Sequence, residues 1–116
     1  MTAERNPLHE EPAILRLLGP DEEVRHATTA GDALLAVTSR RIAVVDGERT
    51  ALDLAIEGVR RIQFDIEKGR PASLVIVPEK PDQAPQVLSV RPEEYRAVAD
   101  ALVTIGLRLV ESDNEM

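Results

Sequence analysis

The hydrophobic positions change their period twice along this chain. Residues 7–18 (PLHEEPAILRLL) place aliphatic side chains on one side of a predicted short helix, which the Gly19-Pro20 pair ends. Between residues 24 and 90, apolar runs too short for helices alternate with turn dipeptides, a pattern typical of strands. After Pro92 the helical period returns. The order is therefore a short helix, a series of strands and a C-terminal helix.

The strand region divides at its turn residues into seven segments. The run ALLAVT between two turns predicts a buried strand, and Asp46-Gly47 predicts a hairpin. Alternation is clearest where Ile62, Phe64 and Ile66 are expected on the core face. The predicted strands cover residues 24–30, 33–38, 41–45, 50–54, 59–67, 72–77 and 86–90.

The C-terminal segment predicts an amphipathic helix followed by a frayed acidic tail. Pro92 is favourable at a helix start, and the acidic Glu93 and Glu94 suit the first turn because of the helix dipole. Its expected buried stripe consists of Tyr95, Val98, Ala99, Leu102, Ile105 and Leu109.

Three segments of this layout resemble the bacterial PH-like domains, relatives of the PH and GRAM folds. They are LLAVTSRRIAVVDG (34–47), LDLAIEGVRRIQF (52–64) and SVRPEEYRAVADAL (89–102). The resemblance, over about residues 22–110, implies a mainly β fold: a PH-like, partly open barrel of about seven antiparallel strands in two sheets, capped by a C-terminal helix.

The short N-terminal helix adds to that expected fold. We expect an N-terminal extension over 1–19, a PH-like domain over 20–110 and the acidic tail over 111–116. One open antiparallel sheet with both helices on the same face would give the same order of elements, and periodicity does not separate the two arrangements.

Composition excludes several classes of function. Phe64 and Tyr95 are the only aromatic residues and the net charge is −7, so the chain lacks both the stacking platform and the positive charge that nucleic-acid binding needs. No apolar run approaches the roughly 18 residues of a membrane span, and the charged N-terminus is unlike a secretory signal. We expect a cytoplasmic protein whose membrane contact is at most peripheral.

No catalytic constellation is visible in the sequence. There is no cysteine, and His9 and His26 have no partner at metal-ligand or catalytic spacing. The adjacent carboxylate pairs, such as Glu22/Glu23, predict solvated or helix-start charge instead of acid–base dyads. We therefore expect no enzyme activity, no catalytic residue, no metal and no cofactor.

Two arginine pairs in the middle of the chain could form an anion site. Arg40 and Arg41 fall at a predicted hairpin turn, and Arg60 and Arg61 at the start of a strand. If the pairs adjoin, their guanidinium groups could bind phosphate or an acidic lipid headgroup; otherwise they pair with nearby acids. The loop at residues 28–32, which is basic in phosphoinositide-binding PH domains, contains no Lys or Arg here.

The N-terminal aliphatic cluster, which includes Ile14, Leu15 and Leu18, is the other candidate interaction surface. Such a cluster either packs on its own domain or docks on another chain. An exposed edge strand at 24–30 could also pair between copies. The sequence thus favours a non-catalytic interaction module for an unknown protein partner or a homo-oligomer, with anion or acidic-lipid binding through the four arginines as the alternative.

Overall fold

A computed structural model describes Ile14 and residues 16–114 of the chain, and these form two antiparallel sheets and a C-terminal helix. The first sheet has the strand order β1-β2-β3-β4 and the second has the order β5-β6-β7. The strands are β1 (Val24–Ala30), β2 (Ala33–Thr38), β3 (Arg41–Asp46), β4 (Arg49–Ala55), β5 (Val59–Asp65), β6 (Ala72–Pro78) and β7 (Gln86–Val90).

Within the described ranges the two sheets share no strand pairing, so the alternative of one continuous open sheet is wrong. Their inner faces enclose the main core. The C-terminal helix (Tyr95–Asn114) closes this core with Val98, Ala101 and Ile105, all buried. The core is almost entirely aliphatic; Phe64 and Tyr95 meet edge to face at its margin, with ring centroids 5.9 Å apart.

The first sheet is buried on both faces at its two central strands. On β2, Leu35 and Val37 point into the main core, whereas Leu34 and Ala36 point to the outer face. Because successive side chains of a strand alternate between faces, an uninterrupted apolar run such as ALLAV has to be covered on both sides.

Three aliphatic residues that precede β1 provide the outer cover. Ile14 is 1% exposed and packs on the outer face of the first sheet, accompanied by the half-buried Leu17 and Leu18. The amide of Leu17 donates a 2.9 Å hydrogen bond to the carbonyl of Ile14. Most of the predicted helix 7–18, including Leu15, lies outside the described residues.

Glycine shapes the turn between β1 and β2. Gly31 has φ +65°, and a Cβ at this position would lie 2.6 Å from the carbonyl oxygen of Ser89 on β7. Only glycine allows the turn to approach β7 this closely, so the first sheet lies directly against the second at this corner.

The largest departures from the expected boundaries are at β5 and the C-terminal helix, whereas the ends of the other strands differ by at most one residue. Strand β5 ends at Asp65, which is paired with Ser73, so Ile66 lies beyond the ladder and is 57% exposed; its predicted place on the core face is wrong. Pro92–Glu94 form a 3-10 turn before the helix, which continues through Asn114 into the segment expected to fray. Ala99, expected in the buried stripe, is exposed.

Candidate functional site

The outer side of the C-terminal helix carries an exposed aliphatic row. Val103, Leu107 and Val110 are 60%, 60% and 57% exposed, although they are large apolar side chains. Their spacing of four and three residues places them on one side of the helix, opposite the buried Val98 and Ile105. The same side contains the exposed residues Arg96, Ala99, Asp100 and Gly106. We call these seven residues the outer helix face.

A cleft of about 530 Å³ lies beside this face, between the helix, β1 and the β2–β3 turn. Leu107 forms part of its wall. The floor is held by a 2.7 Å hydrogen bond between the Nε2 atom of His26 and the Oγ1 atom of Thr104, which joins β1 to the helix. Glu23, Arg25 and Arg108 also line the cleft, and Arg108 lies 3.5 Å from Glu57, so the polar part of the lining carries both signs of charge.

Arg41, one of the predicted anion-binding residues, is held by two carboxylates of its own chain. Its Nε and Nη2 atoms donate to the two carboxylate oxygens of Glu22 at 2.7 and 3.0 Å. Its Nη1 atom lies 3.1 Å from both carboxylate oxygens of Asp53. Two negative charges therefore face one guanidinium, a geometry that favours a structural ion-pair network over binding of an external anion.

Glu22 is buried, and the expectation of a solvated charge is wrong for this residue. Besides Arg41, it accepts hydrogen bonds from the hydroxyl of Thr38 and from the amide of Gly19 at 2.9 Å. Burial by itself raises the pKa of Glu22, but these hydrogen bonds and the Arg41 charge outweigh it and lower the pKa below 4.5. The hydrogen bond to Glu22 in turn raises the pKa of Arg41.

The other three predicted arginines are exposed on two different elements. Arg40 lies in the β2–β3 turn, where it lines a cavity of about 250 Å³ together with Arg41. Arg60 lies at a bulge of β5, and Arg61 is paired with Val77 of β6 on the solvent side of the second sheet. The lining of the described cavity that holds Arg40 and Arg41 includes neither Arg60 nor Arg61.

A second buried carboxylate fastens the start of the C-terminal helix. Glu94 accepts hydrogen bonds from the hydroxyl of Thr29, from the amide of Gly31 at 3.1 Å and from the amide of Arg91 at 2.9 Å. Burial raises the pKa of Glu94, and the three donors with the Arg91 charge more than compensate, so the net pKa is lowered. Glu94 thus joins the β1–β2 turn to the helix instead of being solvated.

A third cavity, of about 640 Å³, opens between the β1–β2 turn, the β5–β6 turn and the start of the helix. Arg91 on its wall lies 3.6 Å from Asp32, and Arg70 lies 3.9 Å from Glu67. The positive and negative charges around the opening therefore nearly cancel. The exposed Ile66 adds an apolar side chain to the edge of the cavity.

The predicted N-terminal candidates have mixed positions. Ile14 is enclosed by its own domain and Leu18 is half-buried beside it, whereas Leu15 lies outside the described residues. Sequence reasoning missed the outer helix face because it followed the dominant amphipathic stripe. The sequence did contain a sign of this face: a second set of aliphatic residues lies on a different side of the predicted helix from that stripe, namely Val103, Leu107 and Val110.

A solved structure shows the same architecture. The crystal structure of a pleckstrin homology domain from Shewanella amazonensis SB2B matches 86% of this chain and 98% of its own length, with a TM-score of 0.65 and 17% sequence identity. The chain has a PH-like fold. At this identity the match establishes the fold alone, and it confirms the expectation of two antiparallel sheets with a capping helix.

No protein-family model and no curated protein matches the sequence of this PH-like domain. Among the described residues, no helix has both the length and the apolar character needed to cross a membrane. The residues that the structure describes also contain no cluster of three metal-ligating side chains.

Proposed function

We propose that this PH-like domain is a non-catalytic protein-binding module and that its binding surface is the outer helix face. The observation that supports this function is the aligned exposure of Val103, Leu107 and Val110. Single exposed aliphatic residues are ordinary on a protein surface, whereas a contiguous row of them is typical of an interaction site.

The surroundings of the row suit a macromolecular partner. The 530 Å³ cleft beside Leu107 is bounded by the helix and by the edge strand β1, so an extended or helical segment could lie along both. Burial of an exposed aliphatic side chain contributes about 1.5–3 kcal/mol before the entropy of association is subtracted. The row can therefore supply the central apolar contact of an interface.

A photo-crosslinking experiment tests this proposal. A photoreactive phenylalanine analogue replaces Leu107 in one variant and Ala97 in a control; Ala97 is exposed on the same helix but outside the outer helix face. We expect covalent protein adducts in cells for position 107 and few for position 97. Equal adduct yields at the two positions, or none at either, would contradict the proposal.

The alternative function, binding of anions or acidic lipids through Arg40, Arg41, Arg60 and Arg61, has weaker support. Arg41 already faces Glu22 and Asp53, and the remaining three arginines are divided between the first and second sheets. Two results together would favour this alternative: the chain binds acidic vesicles in a salt-sensitive manner, and an Arg60→Ala/Arg61→Ala double variant loses that binding.

A further inference from the structure

The C-terminal helix is held unevenly along its length. Its first part contributes three side chains to the main core, each at most 1% exposed: Val98, Ala101 and Ile105. Among the described side chains that follow, at positions 107–110, two are exposed, two are half-buried and none is buried. Burial of apolar surface is the main source of tertiary stability, so the helix is fixed much less firmly after Ile105 than before it.

Gly106 lies at the border between these two parts. It is in the interior of the helix and exposed, and a Cβ placed on it would meet no atom within 4 Å. An alanine would therefore fit there and would favour the helix, because glycine loses more backbone freedom when it becomes helical. The position with the lowest helix propensity thus coincides with the point where burial of the helix ends.

Two polar contacts lie on opposite sides of this border. Before it, the 2.7 Å hydrogen bond between Thr104 and His26 joins the anchored part to β1. After it, the Nε atom of Arg108 lies 3.5 Å from a carboxylate oxygen of Glu57, in the 3-10 turn Ile56–Gly58. These two side chains are 43% and 49% exposed, and exposed ion pairs add little stability and are screened by salt. The ion pair is therefore a weak fastening that salt loosens.

We propose that the C-terminal helix opens at Gly106. The part from Leu107 onward, which we call the lid, detaches as one unit while the part up to Ile105 stays docked. Leu107 and Arg108 form part of the wall of the 530 Å³ cleft, whose lining includes Ile56, only 1% exposed in the closed structure. Opening of the lid removes this wall and gives solvent access to Ile56. The inference stands apart from the proposed function, because the opening needs no partner.

The hydrogen bonds of the helix define what the opening breaks. Each amide of an α-helix donates to the carbonyl four residues earlier, so three bonds close over the hinge residue; their donors are the amides of Leu107, Arg108 and Leu109. A change of backbone conformation at Gly106 breaks these bonds together. Fraying instead breaks bonds one after another from the end of the helix. A step in protection at Gly106 therefore distinguishes a lid from a frayed end.

Amide hydrogen exchange of the unmodified chain, followed by NMR, tests the proposal directly. After correction for intrinsic rates, the amides of residues 107–109 should share one exchange rate, at least about ten times that of the amides of residues 101–105. A gradual change along the helix, or equal protection on both sides of Gly106, would overturn the proposal.

Two variants separate local opening from unfolding of the whole domain. Gly106→Ala favours the helical backbone at the hinge, so the lid amides should exchange about four times more slowly. Ala97→Gly is the matched control, because Ala97 is exposed on the same helix but lies before the hinge. It should leave the lid amides unchanged and accelerate the amides of residues 101–105 about fourfold. Equal acceleration of both groups would mean that the lid opens only with the whole domain, and the proposal would be wrong.

Salt and the Glu57 carboxylate should control how often the lid opens. In a Glu57→Gln variant at low salt the lid amides should exchange about twice as fast, and about 0.5 M NaCl should bring the unmodified chain to the same rate. Glu67→Gln is the control, because it removes a similarly exposed ion pair, with Arg70, on another turn. Lid amides that respond neither to salt nor to Glu57→Gln would overturn this ion pair as the fastening.

Thiol labelling tests access to the cleft, because the chain contains no cysteine of its own. Ile56→Cys places a thiol in the cleft lining, and Leu74→Cys places one in the core on β6, where Leu74 is 0% exposed. After correction for the measured stability of each variant, an aromatic disulfide reagent should label position 56 at least about ten times faster than position 74. Adding Gly106→Ala should slow labelling at position 56. Equal corrected rates at the two positions would show that the lid does not open onto the cleft and would overturn the inference.

Discussion

Two buried carboxylates hold elements that are distant in the sequence. Glu22 joins the segment before β1 to the β2–β3 turn through Thr38 and Arg41, and Glu94 joins the β1–β2 turn to the C-terminal helix. Each accepts several hydrogen bonds, and each has a lowered pKa. A carboxylate held in this way stabilises the fold only while it is ionised.

Glu22 is therefore predicted to make stability depend on pH. Its pKa is lowered in the folded state from an ordinary value of 4.5, so its contribution is fully present above that value and is lost as the pH falls through the folded-state pKa. A Glu22→Gln variant should lose about 2 kcal/mol of unfolding free energy at pH 7 and show a flatter decline in acid.

Urea denaturation between pH 7 and pH 3 measures both effects. Glu23→Gln is the matched control, because Glu23 is adjacent to Glu22 and exposed. Its described hydrogen bonds join its backbone amide and carbonyl to Ser39, and the substitution leaves both groups in place. A Glu22→Gln variant that matched the Glu23→Gln control at pH 7 would show that the network adds no net stability.

At the scale of elements, the β1–β2 turn lies at the corner between the two sheets. Gly31 sits against Ser89 of β7, and its amide is one of the donors to Glu94 at the start of the helix. One turn thus contacts the second sheet and the helix start together. The β3–β4 turn, by contrast, is open: Gly47 has the same φ of +65°, and a Cβ there would meet nothing within 4 Å.

This contrast predicts different costs for the same substitution. Gly47→Ala should lose about 1 kcal/mol, the cost of a left-handed conformation for a residue with a Cβ. Gly31→Ala carries that cost and must also relieve the clash with Ser89, so its loss should be larger by at least about 2 kcal/mol. Thermal unfolding of both variants checks the prediction, which similar melting temperatures would contradict.

For the whole molecule, Ile14, Leu17 and Leu18 act as a third layer. The first sheet is covered by the core on one side and by Ile14, Leu17 and Leu18 on the other. In the described structure these three residues are therefore part of the packed domain, whereas Val103, Leu107 and Val110 on the C-terminal helix stay exposed.

Ile14→Ala should consequently destabilise the whole domain. Removal of a buried isoleucine side chain costs about 2–5 kcal/mol, depending on how far the cavity collapses. Leu18→Ala, at a half-buried position in the same layer, should cost clearly less. Chemical denaturation followed by circular dichroism compares the two, and an Ile14→Ala variant as stable as the unmodified chain would show that this layer is dispensable.

Local patterns in the sequence determined the elements. The turn glycines and the apolar runs predicted all seven strands, and the 3.6-residue period predicted the C-terminal helix with Val98 and Ile105 inside. These features depend on residues a few positions apart in the sequence. A tight turn needs glycine where φ is positive, and the side chains of a strand alternate between its two faces every two residues. The PH-like arrangement was predicted from three segments that resemble bacterial PH-like domains, because the order of the elements by itself also allowed one open sheet.

Only the tertiary structure decided which charges are internal and which apolar residues stay exposed. Glu22 and Arg41 are nineteen positions apart, and Glu94 meets Thr29 across most of the chain, so no local pattern separates them from solvated charges such as Glu23. Likewise Ile14 is buried and Leu107 is exposed because sheet packing covers one surface and leaves the other open. Burial depends on what folds back over a residue, and that is a property of long-range contacts.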